Sequence, residues 1–167
     1  MLFYEARDSI RAIRSPFGRL SDGSSRKPPD GEDPDLKEIR DAAYVGYERY
    51  QEHQECFNKL HALRYRFMAL FGQERVQPFD EVNKVVREIL HAYRAIGHER
   101  ERIQRGWVKE AKQRTAYERI EKAEGVIWEG MSTAEDEIQR RMNGAVANIE
   151  AICEPVLRGT ATLGVTR

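Results

Sequence analysis

The stretch DPDLKEIRDAAYVGYERYQEHQECFNKLHALRYRFMALFG, residues 33–72, decides the fold class. Within it Leu36, Ile39, Ala43, Gly46, Tyr50, Phe57, Leu60, Phe67 and Phe71 recur in steps of three and four, and His53 and Arg64 occupy the two positions left in the series. That spacing puts one stripe on one side of an α-helix, where it must be buried against another helix. The ends are marked as well. Asp33-Pro34-Asp35 supplies a cap, a proline at the first helical position and an acid near the positive end of the dipole. Gly72 supplies the stop.

The stripe reappears twice downstream. Val82, Val86, Ile89, Tyr93 and Ile96 form one set, and Ile138, Met142, Ala145, Ile149, Ile152 and Val156 another. Pro78-Phe79-Asp80-Glu81 opens the second helix. Ser132-Thr133-Ala134-Glu135 fits the capping-box pattern for the third, which Pro155 and Gly159 should end. The expected fold is all-α: an elongated antiparallel bundle of three to four helices with coiled-coil-like packing. Between Gly97 and Gly106 only Ile103 is apolar, but no proline enforces a break there and a lone glycine costs only ~1 kcal/mol. The pairs Glu101–Arg105, Glu110–Arg114 and Glu118–Lys122 support a helix. The reading favours one continuous helix over 78–130, roughly 78 Å long.

The chain divides into four segments. Residues 1–15 read as a short amphipathic helix on Phe3, Ala6, Ile10 and Ile13, with Arg7, Arg11 and Arg14 flanking the stripe and Phe17 in register beyond Pro16. Residues 16–33 read as a flexible linker, too poor in apolar residues to order itself. Residues 34–158 are the helical domain and 159–167 a disordered tail. The first segment is expected to dock on the bundle as a fourth helix, with peripheral membrane contact through residues 2–17 as the other option.

Composition narrows the function classes. The 167 residues carry 28 basic and 28 acidic side chains, so no net field draws the chain to nucleic acid or an anionic membrane. Charged residues at 34% fit long helices with one buried stripe and a wide wet face. Cys56 and Cys153 lie beside stripe residues and read as small buried hydrophobes of a reducing compartment. Phe67 to Phe71 is the longest apolar run, far below a membrane span. Glu5, Arg7 and Asp8 interrupt the start and argue against a secretory signal, so a cytoplasmic location is expected, with membrane association open.

Candidate chemistry is sparse. Glu88-x-x-His91 is half of a di-iron carboxylate–histidine motif, but it has no second copy and points away from the stripe, so neither a metal nor another cofactor is expected. No catalytic residue is assigned. His53 and Arg64 are expected as buried polar residues that set helix register, with Glu88 or Glu150 as carboxylate partners for Arg64. An enzyme centred on that pair is the minor alternative. Arg100, Arg102, Arg105, Lys109, Lys112, Arg114 and Arg119, interleaved with Trp107 and Tyr117, give a basic strip over 98–122. The glutamates among them make nucleic-acid binding a weaker alternative. If the 78–130 helix projects past the first, Trp107, Val108, Ile120, Ile127 and Trp128 are left partly covered and form a partner-binding surface.

Leu63-Arg64-Tyr65-Arg66-Phe67 with Leu70-Phe71-Gly72, Pro78-Phe79-Asp80-Glu81, Trp128-Glu129-Gly130, and Ile149-Glu150-Ala151-Ile152-Cys153 before Pro155 form a set of local strings. Over roughly residues 57–158 they resemble uncharacterised helical proteins of Gram-negative bacteria, some of which look membrane-anchored through a preceding helix. This chain has a polar linker and a short amphipathic segment in that place. The resemblance implies a bacterial helical domain and no particular chemistry. The function expected from the residues is a non-enzymatic interaction or scaffold domain, a homo-oligomer that docks a protein partner.

Overall fold

The computed structural model describes residues 2–18, 22–130 and 135–163. Among these every regular element is helical, without a strand: α1 Leu2–Ile13, α2 Pro34–Phe71, α3 Gln77–Gln104, α4 Glu110–Ile127 and α5 Glu137–Leu163, with a 3₁₀ turn at Gln73–Arg75 between α2 and α3. No helix among the described residues is long and apolar enough to cross a membrane.

α2 begins and ends where its sequence signals lie. The Asp33 carboxylate accepts the Asp35 N–H at 2.9 Å, Pro34 fills the first position, and the Gly72 N–H closes the last turn on the Met68 carbonyl. Of its stripe, Leu36, Gly46, Phe57, Leu60 and Phe67 are buried and the other apolar members are half-buried. α3 buries Val82, Val86, Ile89, Tyr93 and Ile96, and adds Phe79, Val85 and Ala92. Each large apolar side chain removed from water contributes about 1.5–3 kcal/mol, so this face dictates the pairing. The pairing is antiparallel. The Phe67 and Phe79 rings meet at 5.2 Å at one end, and Arg40 reaches Glu101 at 2.8 Å toward the other.

Two glycines explain how closely α2 and α3 approach. A Cβ on Gly46 would lie 2.1 Å from the Tyr93 ring, and one on Gly97 would lie 2.4 Å from the Ala43 Cβ. Tyr93 therefore rests on bare α2 backbone, from where its hydroxyl donates to the Ile13 carbonyl at 3.1 Å.

α1 docks as the fourth-helix expectation required, with Phe3, Ala6, Ile10 and Ile13 all buried. It packs along α2 and antiparallel to α5, Tyr4 bonding Glu150 and Arg14 bonding Asp136, and touches the start of α3 where Phe3 lies edge-on to Phe79 at 4.8 Å. The apolar face that membrane contact would use is thus inside the protein. Phe17, the continuation of that stripe, is 81% exposed, because the helix has already ended.

The continuous 78–130 helix is corrected: the chain breaks after Gln104 and α4 folds back along α3. The break is a Schellman motif. Gly106 takes φ +67°, its N–H donates to Ile103 O at 2.9 Å, and the Trp107 N–H donates to Arg102 O at 2.9 Å. Arg100 then meets Glu124 at 2.7 Å across the antiparallel α3–α4 pair.

The segment leading into α2 is also more tied down than its composition suggests. Glu48 accepts the N–H groups of Gly23 and Ser25, and Arg26 pairs with both Asp41 and Glu32. Polar side chains on α2 supply what apolar burial does not. At the other end, Pro155 does not stop α5, which continues to Leu163, although Val156 falls off the buried stripe at 48% exposure. Ser132, Thr133 and Ala134 of the capping box lie outside the described residues. Asp136 is seen capping α5, accepting the Gln139 N–H at 3.0 Å.

Candidate functional site

The polar groups buried deepest hold elements together. Arg14, 1% exposed, sits just past α1. Its Nη1 and Nη2 donate to the two Asp136 oxygens at 2.9 and 2.8 Å. Nε donates to Val126 O at 2.7 Å and Nη2 to Trp128 O at 3.2 Å. One guanidinium thus satisfies the last carbonyls of α4 and the cap of α5, where a cation also suits the α4 dipole. Burial by itself would raise the Asp136 carboxyl, but the hydrogen bonds and charge of Arg14 and the Gln139 N–H hold it below its ordinary value.

Arg49 does the same for the other side of the α1 end. It is 3% exposed and donates to Ser15 O at 2.6 Å, Phe17 O at 2.9 Å and the Asp22 carboxylate at 2.6 Å. Tyr93 shares this neighbourhood, and burial pushes its hydroxyl up to about 12. Both arginines escape a reading of the sequence. Arg14 reads as a flank of the α1 stripe, and Arg49 lies one position off the α2 heptad. Neither carries a local signal, because the carbonyls and carboxylates that hold them come from distant segments.

His53 and Arg64 are the converse case. Both are half-buried. Arg64 does not reach Glu88 or Glu150; it donates to Asp80 at 2.8 Å across the short α2–α3 connection. Its side chain is 21% exposed and that of Asp80 43%, so the pair sits at the rim. Glu88 bonds Arg141 of α5, and His91 is exposed. Cys56 and Cys153 are free and half-buried, and burial raises the Cys56 thiol against a partly offsetting bond with Ser9.

The five residues expected to form a partner surface separate. Val108, Ile120 and Ile127 are buried and Trp128 is half-buried with its ring edge-on to Tyr93 at 6.1 Å. The fold-back of α4 turns that stripe inward. Only Trp107 stays out, at 64% exposure, with the Arg105 guanidinium over its ring at 4.9 Å. Tyr117, the other aromatic of the basic strip, is 55% exposed but lines a different depression.

Trp107 borders a recess of about 400 Å³ at the α3–α4 corner, lined also by Glu99, Arg102, Lys109, Lys112 and Arg119. Glu99 accepts from Arg102 at 3.1 Å and from Arg119 at 3.2 Å. Lys109 and Lys112 are exposed and have no carboxylate within 4 Å among the described residues. A larger cleft of about 550 Å³ lies between α2, α3 and the end of α4. Its charged rim is nearly balanced, Lys37 pairing with Asp41 and Arg100 with Glu124. The corner thus sets two lysines without a carboxylate partner among the described residues beside an exposed indole.

No family model matches this chain, and neither a curated protein nor a solved structure is significantly similar to it.

Proposed function

We propose that this chain is a non-enzymatic helical interaction domain that docks a protein partner at the α3–α4 corner, with Trp107 as the anchor. The observation that carries this is an indole 64% exposed on a turn fixed by two backbone hydrogen bonds, next in sequence to the buried Val108 and with the Arg105 guanidinium over its ring. A large aromatic kept in water on a fixed backbone turn is an incentive to association, since tryptophan dominates binding hot spots and the backbone here has no ordering cost left to meet. The interior polar groups support the same reading, because Arg14 and Arg49 are consumed in joining helix ends. The strict three–four spacing of α2 and its antiparallel pairing with α3 support a bundle with coiled-coil-like packing.

Self-association through an exposed stripe loses its motive once Val108, Ile120 and Ile127 are in the core; a second copy remains one occupant of the corner. Nucleic-acid binding along 98–122 has less support. Arg100, Arg102, Arg105, Arg114 and Arg119 each pair with a glutamate.

The test is capture of partners by the full chain and by its Trp107→Ala variant, with sedimentation velocity on both. A partner, or a second copy, held by the wild type and lost by the variant supports the docking reading. Equal retention by both rejects Trp107 as the anchor.

A further inference from the structure

We infer that the recess beside Trp107 receives an acidic segment of a protein, two or more carboxylates placed next to an apolar side chain. This rests on the docking reading above and specifies the chemistry of what docks. Four cationic side chains, Arg102, Lys109, Lys112 and Arg119, line the recess against one carboxylate, Glu99. Glu99 is only 13% exposed on its side chain and is engaged by both arginines, so it orders them while leaving them part of their donor capacity. The two lysines add charge that no acid among the described residues neutralises. Carboxylates entering there meet oriented guanidinium forks and two mobile ammonium groups, and the neighbouring residue meets the Trp107 ring.

The shape selects protein over nucleic acid. A recess of about 400 Å³ accommodates a few side chains and does not track a backbone. Single strands bind along grooves with successive stacking rings, whereas Trp107 and Tyr117 line separate depressions. Two other arginines of the basic strip, Arg100 and Arg114, do not line this recess and are paired with Glu124 and Glu118.

The test uses the full chain carrying Trp128→Phe, so that Trp107 alone reports by its emission. The probes are a capped hexaglutamate peptide, its hexaglutamine counterpart and a twelve-residue oligothymidylate. At low salt, hexaglutamate should give a saturable change with half-saturation at or below about 1 mM, a weak but measurable affinity. Hexaglutamine should give none. Lys109→Gln/Lys112→Gln should weaken hexaglutamate binding by about tenfold or more, and raising the salt to about 0.3 M should do the same, since exposed charges are screened. Both lysines are exposed, so circular dichroism of the double variant should match the wild type. Absence of saturation with hexaglutamate, or tighter binding of oligothymidylate, overturns the inference. A captured protein that is lost with Trp107→Ala but retained by the double-lysine variant also overturns it, and does so while leaving the docking reading standing. If neither variant releases that protein, the docking reading itself has failed.

Discussion

Arg14→Met tests whether one guanidinium joins α1 to the distant end of the chain. The substitution leaves the Asp136 carboxylate 14% exposed without its partner, and leaves Val126 O and Trp128 O without the donors they now have. Removing one member of a buried pair costs about 3–5 kcal/mol. Asp136 keeps the Gln139 N–H and an edge of water, and methionine restores some apolar packing, so the lower end, about 3 kcal/mol, is expected. That is a large part of the roughly 5–15 kcal/mol that holds a domain folded. In urea unfolding followed by far-ultraviolet circular dichroism, the midpoint should fall by roughly 1–2 M for an ordinary slope. Arg14→Lys keeps the charge but not the planar fork, and should lose more than half as much. Arg14→Met/Asp136→Asn is the decisive variant. Asparagine still caps α5 but carries no orphaned charge, so the double variant should recover about 1–2 kcal/mol relative to Arg14→Met. A cost below about 1 kcal/mol for Arg14→Met, or additivity within about 0.5 kcal/mol, would refute the junction.

Alkaline stability should depend on Tyr93. Its folded value of about 12 lies above the ordinary 10, so its contribution is intact below pH 10 and is lost as pH rises toward 12, by about 2–3 kcal/mol at most. Tyr93→Phe should flatten that limb of a pH–melting curve while losing about 1 kcal/mol near neutrality with the Ile13 hydrogen bond; a limb unchanged from wild type contradicts this. Gly46→Ala should destabilise by about 2–3 kcal/mol, because its Cβ meets a ring with no room to retreat between α2 and α3. Gly106→Ala meets nothing within 4 Å and should lose only the roughly 1–2 kcal/mol of left-handed strain, so the order of the two variants in a thermal melt is the check. Arg64→Met should change stability by less than about 1 kcal/mol, as a rim pair with Asp80 implies, and a loss of several kcal/mol would mean Arg64 bears the register role its spacing suggests.

Periodicity is legible because it answers to one driving force above all, the burial of apolar area. Phe57, Leu60 and Phe67 on α2, Val82 to Ile96 on α3 and Ile10 and Ile13 on α1 all lie inside as their spacing demands. The α3–α4 break is not legible in the same way, since helix propensity and i,i+4 pairs speak only to local stability. Gly106 followed by the apolar Trp107 is the mark of a helix end there, and its consequence is large: it turns Val108, Ile120 and Ile127 from a surface into core. Buried arginines are invisible for a different reason. Arg14 and Arg49 are placed by carbonyls and carboxylates from other segments, and a count of charges along one segment cannot find them. The corner is half legible: its residue types stand out as a strip, but which of them keep a free charge depends on geometry that pairs some and spares Lys109 and Lys112.

The Arg14 junction has a temporal consequence. Arg14 is made 112 residues before Val126 and 122 before Asp136. At ribosomal speeds of about 5–20 residues per second, α1 waits on the order of ten seconds for the atoms that complete its end. During that interval Phe3, Ile10 and Ile13 find α2 and then α3, but their arginine has only water. α1 is therefore sealed on this side only by the α4–α5 junction, and a nascent chain stalled before residue 125 has Arg49 and Tyr93 at the end of α1 but not this lock.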